Sequence, residues 1–136
     1  MANSVSTQIL LDGPRNTVVK FEGVLDTSDL ASTVIVDPAT LVGIDNTGNR
    51  KAAKFRIDDI QFNVEDGLSL NLFWDATTPV RVEELTGRGH MKYHTFGGLV
   101  SNAGAGVTGK ITATTQGWVA AQILSFSLVM KLVKTQ

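Results

Sequence analysis

The feature that most constrains the fold is the alternation of side chains along residues 68–74. One face of this segment carries only large apolar side chains: Leu68, Leu70, Leu72 and Trp74. The positions between them hold Ser69, Asn71 and Phe73. A period of two residues is typical of a β-strand with one face in a hydrophobic core, because successive side chains of a strand point to opposite faces. The segment therefore predicts a β-strand packed against a second layer.

Segments with strand character recur along the chain, and turn-forming residues separate them. They span residues 5–11, 17–25, 33–36, 54–64, 68–74, 80–85, 110–115 and 122–134. None has a convincing helical period, and short strands between frequent turn signals are typical of all-β folds. The sequence predicts one domain over residues 1–136 with an all-β fold. We expect a two-sheet antiparallel β-sandwich, jelly-roll-like, with about eight strands.

Two of these strands contain irregular positions. Within residues 54–64 the apolar positions change parity at Asp58 and Asp59. Such a change of phase is typical of a β-bulge, which inserts one extra residue into a strand. Gly23 interrupts the strand at residues 17–25 and indicates either a bulge or the close approach of another part of the chain.

Two stretches are predicted to differ from regular strands. Residues 87–109 are rich in glycine and predict long loops, with a short strand at residues 96–100. Residues 1–12 are the piece of the chain that could detach from the domain. We expect them to form an extended N-terminal arm that could add a strand to a neighbouring chain.

The composition argues against several classes of partner. The net charge of -1 comes from 12 basic and 13 acidic residues that are intermixed along the chain. No extended basic field is present to attract a phosphate backbone, so we expect no nucleic-acid partner. The chain has no cysteine, which excludes disulfides and thiolate metal sites. The sequence has neither a signal-peptide pattern nor an apolar stretch of about 18 residues, so we expect no membrane association and no export.

Two sequence features resemble metal sites but lack essential parts of them. His90 and His94 have the spacing of two ligands on a helix, yet the segment between Gly89 and Gly97 favours a loop or strand. Residues 45–49 are rich in oxygen ligands but lack the spacing of a calcium loop, so we predict a turn there. The sequence therefore predicts no metal site.

Three adjacent pairs of carboxylates are candidates for acid–base chemistry: Asp58-Asp59, Glu65-Asp66 and Glu83-Glu84. Acid–base catalysis needs two carboxyl groups held across a pocket with their pKa values driven apart, and the sequence associates none of these pairs with a cleft. It also contains no nucleophile elbow, phosphate-binding loop or dinucleotide fingerprint. We predict no catalytic residues, no cofactor and no enzymatic activity.

Four motifs in the chain resemble small virion proteins of tailed bacteriophages. They are LFWDAT (residues 72–77), FGGL (96–99), GVTGKI (106–111) and SLVMK (127–131). The resemblance covers roughly residues 55–134 and is with proteins that decorate or cement the phage head. It implies a β-domain that binds the outer surface of the capsid and stabilises its lattice.

The resemblance also implies partners and a location. The expected partners are the major capsid protein and further copies of this chain, as a homodimer or homotrimer. The expected location is the capsid surface of the virion, after assembly in the host cytoplasm. The resemblance supplies no interface residues, so we select large apolar side chains in the arm and in the loops: Val5, Ile9, Leu10, Phe96 and Trp118. Trp118 follows Gly117 in a connection, where it could anchor an interface or cap the end of the sandwich.

Two alternative functions remain open at the level of sequence. A carbohydrate-binding or receptor-binding module of the virion would need exposed aromatic residues, for which Tyr93 and Trp118 are the candidates. A tail or head–tail connector component would need long strands that pair between subunits. The segments at residues 54–64 and 122–134 are long enough for that role.

Overall fold

In a computed structural model of the protein, residues 3–44 and 50–135 form two antiparallel β-sheets that enclose a common core. The turn predicted at residues 45–49 lies outside these described residues, as do residues 1, 2 and 136. The predicted all-β sandwich is confirmed. Within the described ranges, no helix has the length and apolar character that crossing a membrane requires.

The described residues contain ten strands and two short 3-10 helices. The strands are β1 (Ser4–Asp12), β2 (Asn16–Leu25), β3 (Thr33–Val36), β4 (Lys54–Val64), β5 (Ser69–Trp74), β6 (Val80–Leu85), β7 (Arg88–Lys92), β8 (Leu99–Val100), β9 (Ile111–Gln116) and β10 (Leu124–Thr135). The helices are η1 (Pro38–Thr40) and η2 (His94–Phe96).

Strand β7 lies in the region predicted to form long loops, at a segment that the sequence left open between loop and strand. All five of its residues are exposed, so it lacks the apolar alternation by which a strand is recognised in sequence. It forms because its backbone pairs with β4, from Asp59 opposite Lys92 to Asn63 opposite Arg88. Of the short strand expected at residues 96–100, only Leu99–Val100 form a strand, β8, which pairs with the beginning of β4; Phe96 lies in η2.

The order of the strands is that of a jelly roll. One sheet has the order β1-β2-β10-β4-β7, with β8 also paired to β4, and the other has the order β3-β9-β5-β6. The antiparallel pairs β2–β10, β3–β9, β4–β7 and β5–β6 are nested in sequence. Such nesting arises when a long hairpin of eight strands folds over into two sheets, which is the jelly-roll topology. Strands β1 and β8 are additions to this arrangement.

The core lies between the two sheets and contains the alternating residues that the sequence identified. Leu70 and Leu72 of β5 are completely buried, and the Phe21 and Phe126 rings of the facing sheet lie 5.6 Å apart. Burying a leucine or phenylalanine side chain stabilises the fold by about 1.5–3 kcal/mol. The alternation predicted from residues 68–74 is therefore the inward face of one sheet.

The predicted change of parity in β4 is also present. Opposite β4, Lys131 of β10 pairs with Asp59 and Leu132 pairs with Ile57, so Asp58 is the extra residue of a β-bulge. The bulge allows Ile57 and Ile60 both to be buried. It places the Asp59 carboxylate near the side chain of Lys131, at a distance of 3.8 Å.

Candidate interaction surfaces

The first candidate surface is the edge strand β1, which contains three of the predicted interface residues. In this structure residues Ser4–Asp12 pair with β2 of the same chain, with a bulge between Ile9 and Leu11. Val5 is partly buried and packs against the core, whereas Ile9 and Leu10 are 42% and 49% exposed. The segment predicted to be a detached arm is here an edge strand with an apolar end.

Ile9 is exposed although its side chain lies on the core side of the sheet. It pairs with Val19, which is completely buried on that face. The sheet that contains β1 has six strands and the opposing sheet has four, so the wider sheet extends past the narrower one. Apolar side chains at this overhang are left in contact with solvent.

The second candidate surface is the Phe96 knob, which consists of η2 and the two glycines that follow it. Phe96 is 67% exposed, and its ring packs edge-on against Tyr93 with 6.0 Å between ring centroids. Tyr93 is buried, and its hydroxyl donates a hydrogen bond of 2.8 Å to Glu83. Gly97 and Gly98 have φ angles of 92° and 93°, a region that favours glycine. Phe96 is thus an exposed aromatic on a fixed base.

Trp118 has a different environment from Phe96 and lies in a different connection of the fold. Its side chain is half-buried against the core, and its indole N–H donates to the carbonyls of Leu25 and Gln122 at 3.3 and 3.2 Å. Its backbone N–H donates to the carboxylate of Asp29 at 3.0 Å. Trp118 therefore anchors the loop between β9 and β10 and does not present its indole fully to solvent.

The third candidate surface is the tip of that same loop, and our sequence reasoning missed it. Val119 and Ile123 are 59% and 65% exposed, in a loop that Trp118 holds in place. One sequence feature could have identified this surface: residues 117–123, which connect two strands, contain no charged residue. Connections usually lie on the surface, so uncharged and apolar connections are unusual.

The two histidines considered for metal binding instead contact one carboxylate. His94 Nδ1 lies 3.1 Å and His90 Nε2 lies 3.6 Å from the same oxygen of Asp59. Asp59 is on β4, so these contacts connect β7 and η2 to the neighbouring strand. Among residues 3–44 and 50–135, no group of three or more histidine, cysteine or acidic residues is arranged to hold a metal ion.

The outer face of the six-stranded sheet carries two open grooves. The larger has a volume of about 560 Å³ and is lined mainly by small polar side chains and two carboxylates: Ser4, Ser6, Asn63, Ser125, Ser127, Glu22 and Glu65. The smaller, of about 470 Å³, is lined in part by basic side chains: Lys20, Arg88 and His90. Of the predicted carboxylate pairs, only Glu65 reaches either groove, and it accepts a hydrogen bond of 2.8 Å from the backbone of Ser125.

The LFWDAT motif (residues 72–77) and the GVTGKI motif (106–111) are in direct contact. The backbone N–H of Thr108 donates to the carbonyl of Asp75, and the Thr108 hydroxyl donates to the Asp75 carboxylate at 2.7 Å. The backbone N–H of Asp75 donates in turn to the carbonyl of Lys110. The LFWDAT and GVTGKI motifs thus join the end of β5 to the beginning of β9. Comparison with protein-family models and with curated proteins finds no match for this chain.

Proposed function

We propose that this protein is a decoration protein of a tailed-phage capsid, which binds the outer surface of the head and stabilises the lattice. Two lines of support come from the chain. The four motifs resemble phage head proteins, and the fold presents apolar side chains on rigid supports. The observation that carries most weight is the Phe96 knob, where a ring that is 67% exposed rests on the buried ring of Tyr93.

An exposed aromatic on a rigid base is well suited to binding another protein. Burial of apolar surface contributes about 25 cal/mol per Å². A side chain that is already fixed loses little conformational entropy on binding, which preserves more of that gain. Val119 and Ile123 are a second set of exposed apolar residues, in a loop that is fixed through Trp118 and Asp29.

The stabilisation would be additive over many copies. Each copy would bury a modest area against the major capsid protein, and binding to the assembled lattice alone would favour that state by mass action. Capsid symmetry repeats the same contact many times. The heat needed to open the shell would therefore increase with the number of bound copies.

The test uses phage particles assembled without this protein and the purified chain. We expect the chain to bind the heads and to raise the temperature at which the particles release their DNA. Phe96→Ser should weaken binding by roughly tenfold or more, as removal of a central interface aromatic does. Val34→Ser is the matched control, since Val34 is 44% exposed on the other sheet. Equal loss of binding in both variants would contradict the role of the Phe96 knob as the surface that binds the head.

Immunogold electron microscopy of intact particles tests the location separately. Label spread over the head is the expected result. Label confined to the tail would contradict the proposal and favour a tail or connector component. Absence of label on intact particles would contradict a role in the virion.

The larger groove favours one alternative, a carbohydrate-binding or receptor-binding module of the virion. Serine hydroxyls and carboxylates line this groove of about 560 Å³, and such groups hydrogen-bond to sugar hydroxyls. A glycan array would distinguish the two functions. The alternative would be supported if the wild type binds a glycan and Ser127→Trp does not, while this variant still attaches to phage heads.

A further inference from the structure

We propose that β1 is a self-association strand: two copies of the chain pair their β1 strands antiparallel about a two-fold axis at Thr7. The two six-stranded sheets would then join into one continuous sheet. The inference goes beyond the proposed function and does not depend on it, because it rests on the sequence and placement of β1 alone.

The first argument is that β1 lacks the features that protect sheet edges. Strands at sheet edges usually carry charges or proline, or are very short, because their unpaired backbone groups can pair with another chain. β1 is nine residues long and carries no charged residue before Asp12. It pairs with β2 on one side, and no strand of the described residues pairs with its other side.

The remaining edges of the sandwich differ from β1 in these respects. On the opposite side of the same sheet, β7 carries Arg88 and Lys92 in five residues. In the second sheet, β6 contains Arg81 and two glutamates, and β3 has only four residues. Of the four strands at the ends of the two sheets, β1 alone combines length with an uncharged run, from Ser4 to Leu11.

The second argument is that the side chains of β1 are self-complementary. Val5, Thr7 and Ile9 pair with Gly23, Phe21 and Val19, which are all buried, so they share the core side of the sheet. Ser4, Ser6 and Gln8 lie on the other side and are exposed. In a continuous antiparallel sheet, residues directly opposite each other point to the same face.

A two-fold axis at Thr7 satisfies this requirement along the regular part of the strand. Val5 is then opposite Ile9 of the second copy, Ser6 is opposite Gln8, and the two Thr7 residues face each other. Apolar side chains meet on one face and polar side chains on the other, and threonine pairs of this kind stabilise sheets. Asp12 lies beyond this ladder, so no like charges are opposed.

The third argument is that the pairing would cover exposed apolar surface and would end with two copies. Ile9 is 42% exposed at the overhang of the wider sheet. With the axis at Thr7, Val5 of the second copy would lie beside Ile9, so each Ile9 would be partly covered. A two-fold interface uses the same patch on both chains and closes on itself. The bulge at Leu10 limits regular pairing to the preceding residues.

The oligomeric state is measured first, by sedimentation equilibrium over a range of concentrations. We expect a dimer, with twice the chain mass of 14.6 kDa. Thr7→Lys and Thr7→Glu should each weaken the dimer by roughly tenfold or more, because like charges would be opposed at the axis. An equimolar mixture of the two variants should restore a dimer, which also demonstrates that both variants fold. Met91→Lys, on β7, is the matched control and should leave the dimer unchanged.

A cross-link tests the position of the axis. The chain contains no cysteine, so Thr7→Cys introduces a single thiol. Opposed residues in antiparallel strands have Cα atoms about 4.5–5.5 Å apart, which a disulfide can bridge. We expect mild oxidation to give a covalent dimer of Thr7→Cys but not of Met91→Cys. A monomeric wild type, a trimer, or a dimer that the Thr7 variants leave unchanged would overturn the inference.

Discussion

The ammonium group of Lys134 lies 2.6 Å from the carboxylate of Asp12 and connects the last strand of the protein to the first. Its Nζ also donates to the carbonyls of Gly13 and Val42, at 2.6 and 2.7 Å. The Lys134 side chain is completely buried. An ammonium group has three N–H donors, and here all three have acceptors.

Replacement of this lysine should strongly destabilise the protein. Lys134→Met would remove the ammonium group that donates to Asp12 Oδ1 and to two carbonyl groups, and Asp12 would keep only the hydrogen bond from the backbone N–H of Val42. Removal of one partner of a buried ion pair typically costs about 3–5 kcal/mol. Urea denaturation at neutral pH measures the change in the free energy of unfolding. Lys131→Met is the matched control: Lys131 is 60% exposed and 3.8 Å from Asp59, so we expect a change below about 1 kcal/mol. A similar decrease in the free energy of unfolding in both variants would contradict the stabilising role of the buried Lys134 ammonium group.

The same pair should make stability depend on pH in acid. Burial acts to raise the pKa of Asp12, but the hydrogen bonds from Lys134 and Val42 and the charges of Lys134 and Lys51 hold it below its ordinary value of 3.8. A carboxyl group whose pKa is lowered by folding stabilises the native state above its unfolded pKa. That contribution is lost as the pH falls through the lower, folded pKa.

We therefore expect the wild type to lose stability as the pH falls below about 4, and Asp12→Asn to lose less over the same interval. Urea denaturation at a series of acid pH values gives the comparison. Asp37→Asn controls for the removal of one carboxylate from another turn of the chain. Parallel pH profiles for the wild type and Asp12→Asn would refute the prediction.

The single tyrosine provides a spectroscopic test of the base of the Phe96 knob. Burial, the hydrogen bond to Glu83 and the negative charge of Glu83 raise the pKa of Tyr93 well above its ordinary value of 10.0. The neutral phenol thus stabilises the fold, and this contribution is lost at alkaline pH as the raised pKa is approached. Since the chain has one tyrosine, phenolate absorbance reports this group directly.

We expect no phenolate absorbance near pH 10 while the protein is folded. Glu83→Gln should lower the pKa of Tyr93, because it removes the negative charge that opposes ionisation. Glu84→Gln, on the adjacent and exposed position of β6, is the control and should leave the titration unchanged. A wild-type midpoint at the ordinary value would show that the Tyr93 hydroxyl is not held by Glu83.

The sequence predicted those parts of the fold in which buried and exposed side chains alternate along a strand. Leu70 and Leu72 identified β5, and Asp58 identified the bulge in β4, because both patterns are local. The sequence could not decide between loop and strand for β7, since its strand pairing depends on β4 and its residues are all exposed. The contact between Asp12 and Lys134 joins residues far apart in sequence, and no local pattern encodes it.

The sequence predicted the exposure of some candidate surface residues but not of others. Phe96 was selected as a large apolar side chain in a predicted loop, and its side chain is exposed in the structure. The environment of Trp118 could not be predicted in this way. Its indole N–H donates to two backbone carbonyls that only the folded chain brings close to it. In the same loop the exposed apolar side chains are Val119 and Ile123, so Trp118 as an interface residue stays a prediction.

Gly23 offers a last test, and it separates the two explanations that the sequence left open. The pairing of β2 with both β1 and β10 is regular at Gly23, so the residue is not in a bulge. A Cβ atom at this position would lie 2.6 Å from Val5 Cγ1 and 2.8 Å from Phe126 Cζ. The close approach of these two side chains explains the glycine.

Gly23→Ala should therefore destabilise the protein by about 1–3 kcal/mol, as overpacking of a core does. Gly13→Ala is the control: its nearest neighbour would be a carbonyl oxygen at 3.7 Å, so we expect a neutral or slightly stabilising effect. Urea denaturation at one fixed protein concentration measures both. In the Gly23→Ala background, Val5→Ala should cost less than it does in the wild type, since it removes one of the two clashes. Additive effects of the two substitutions would mean that Val5 does not restrict this position, and that Phe126 alone does.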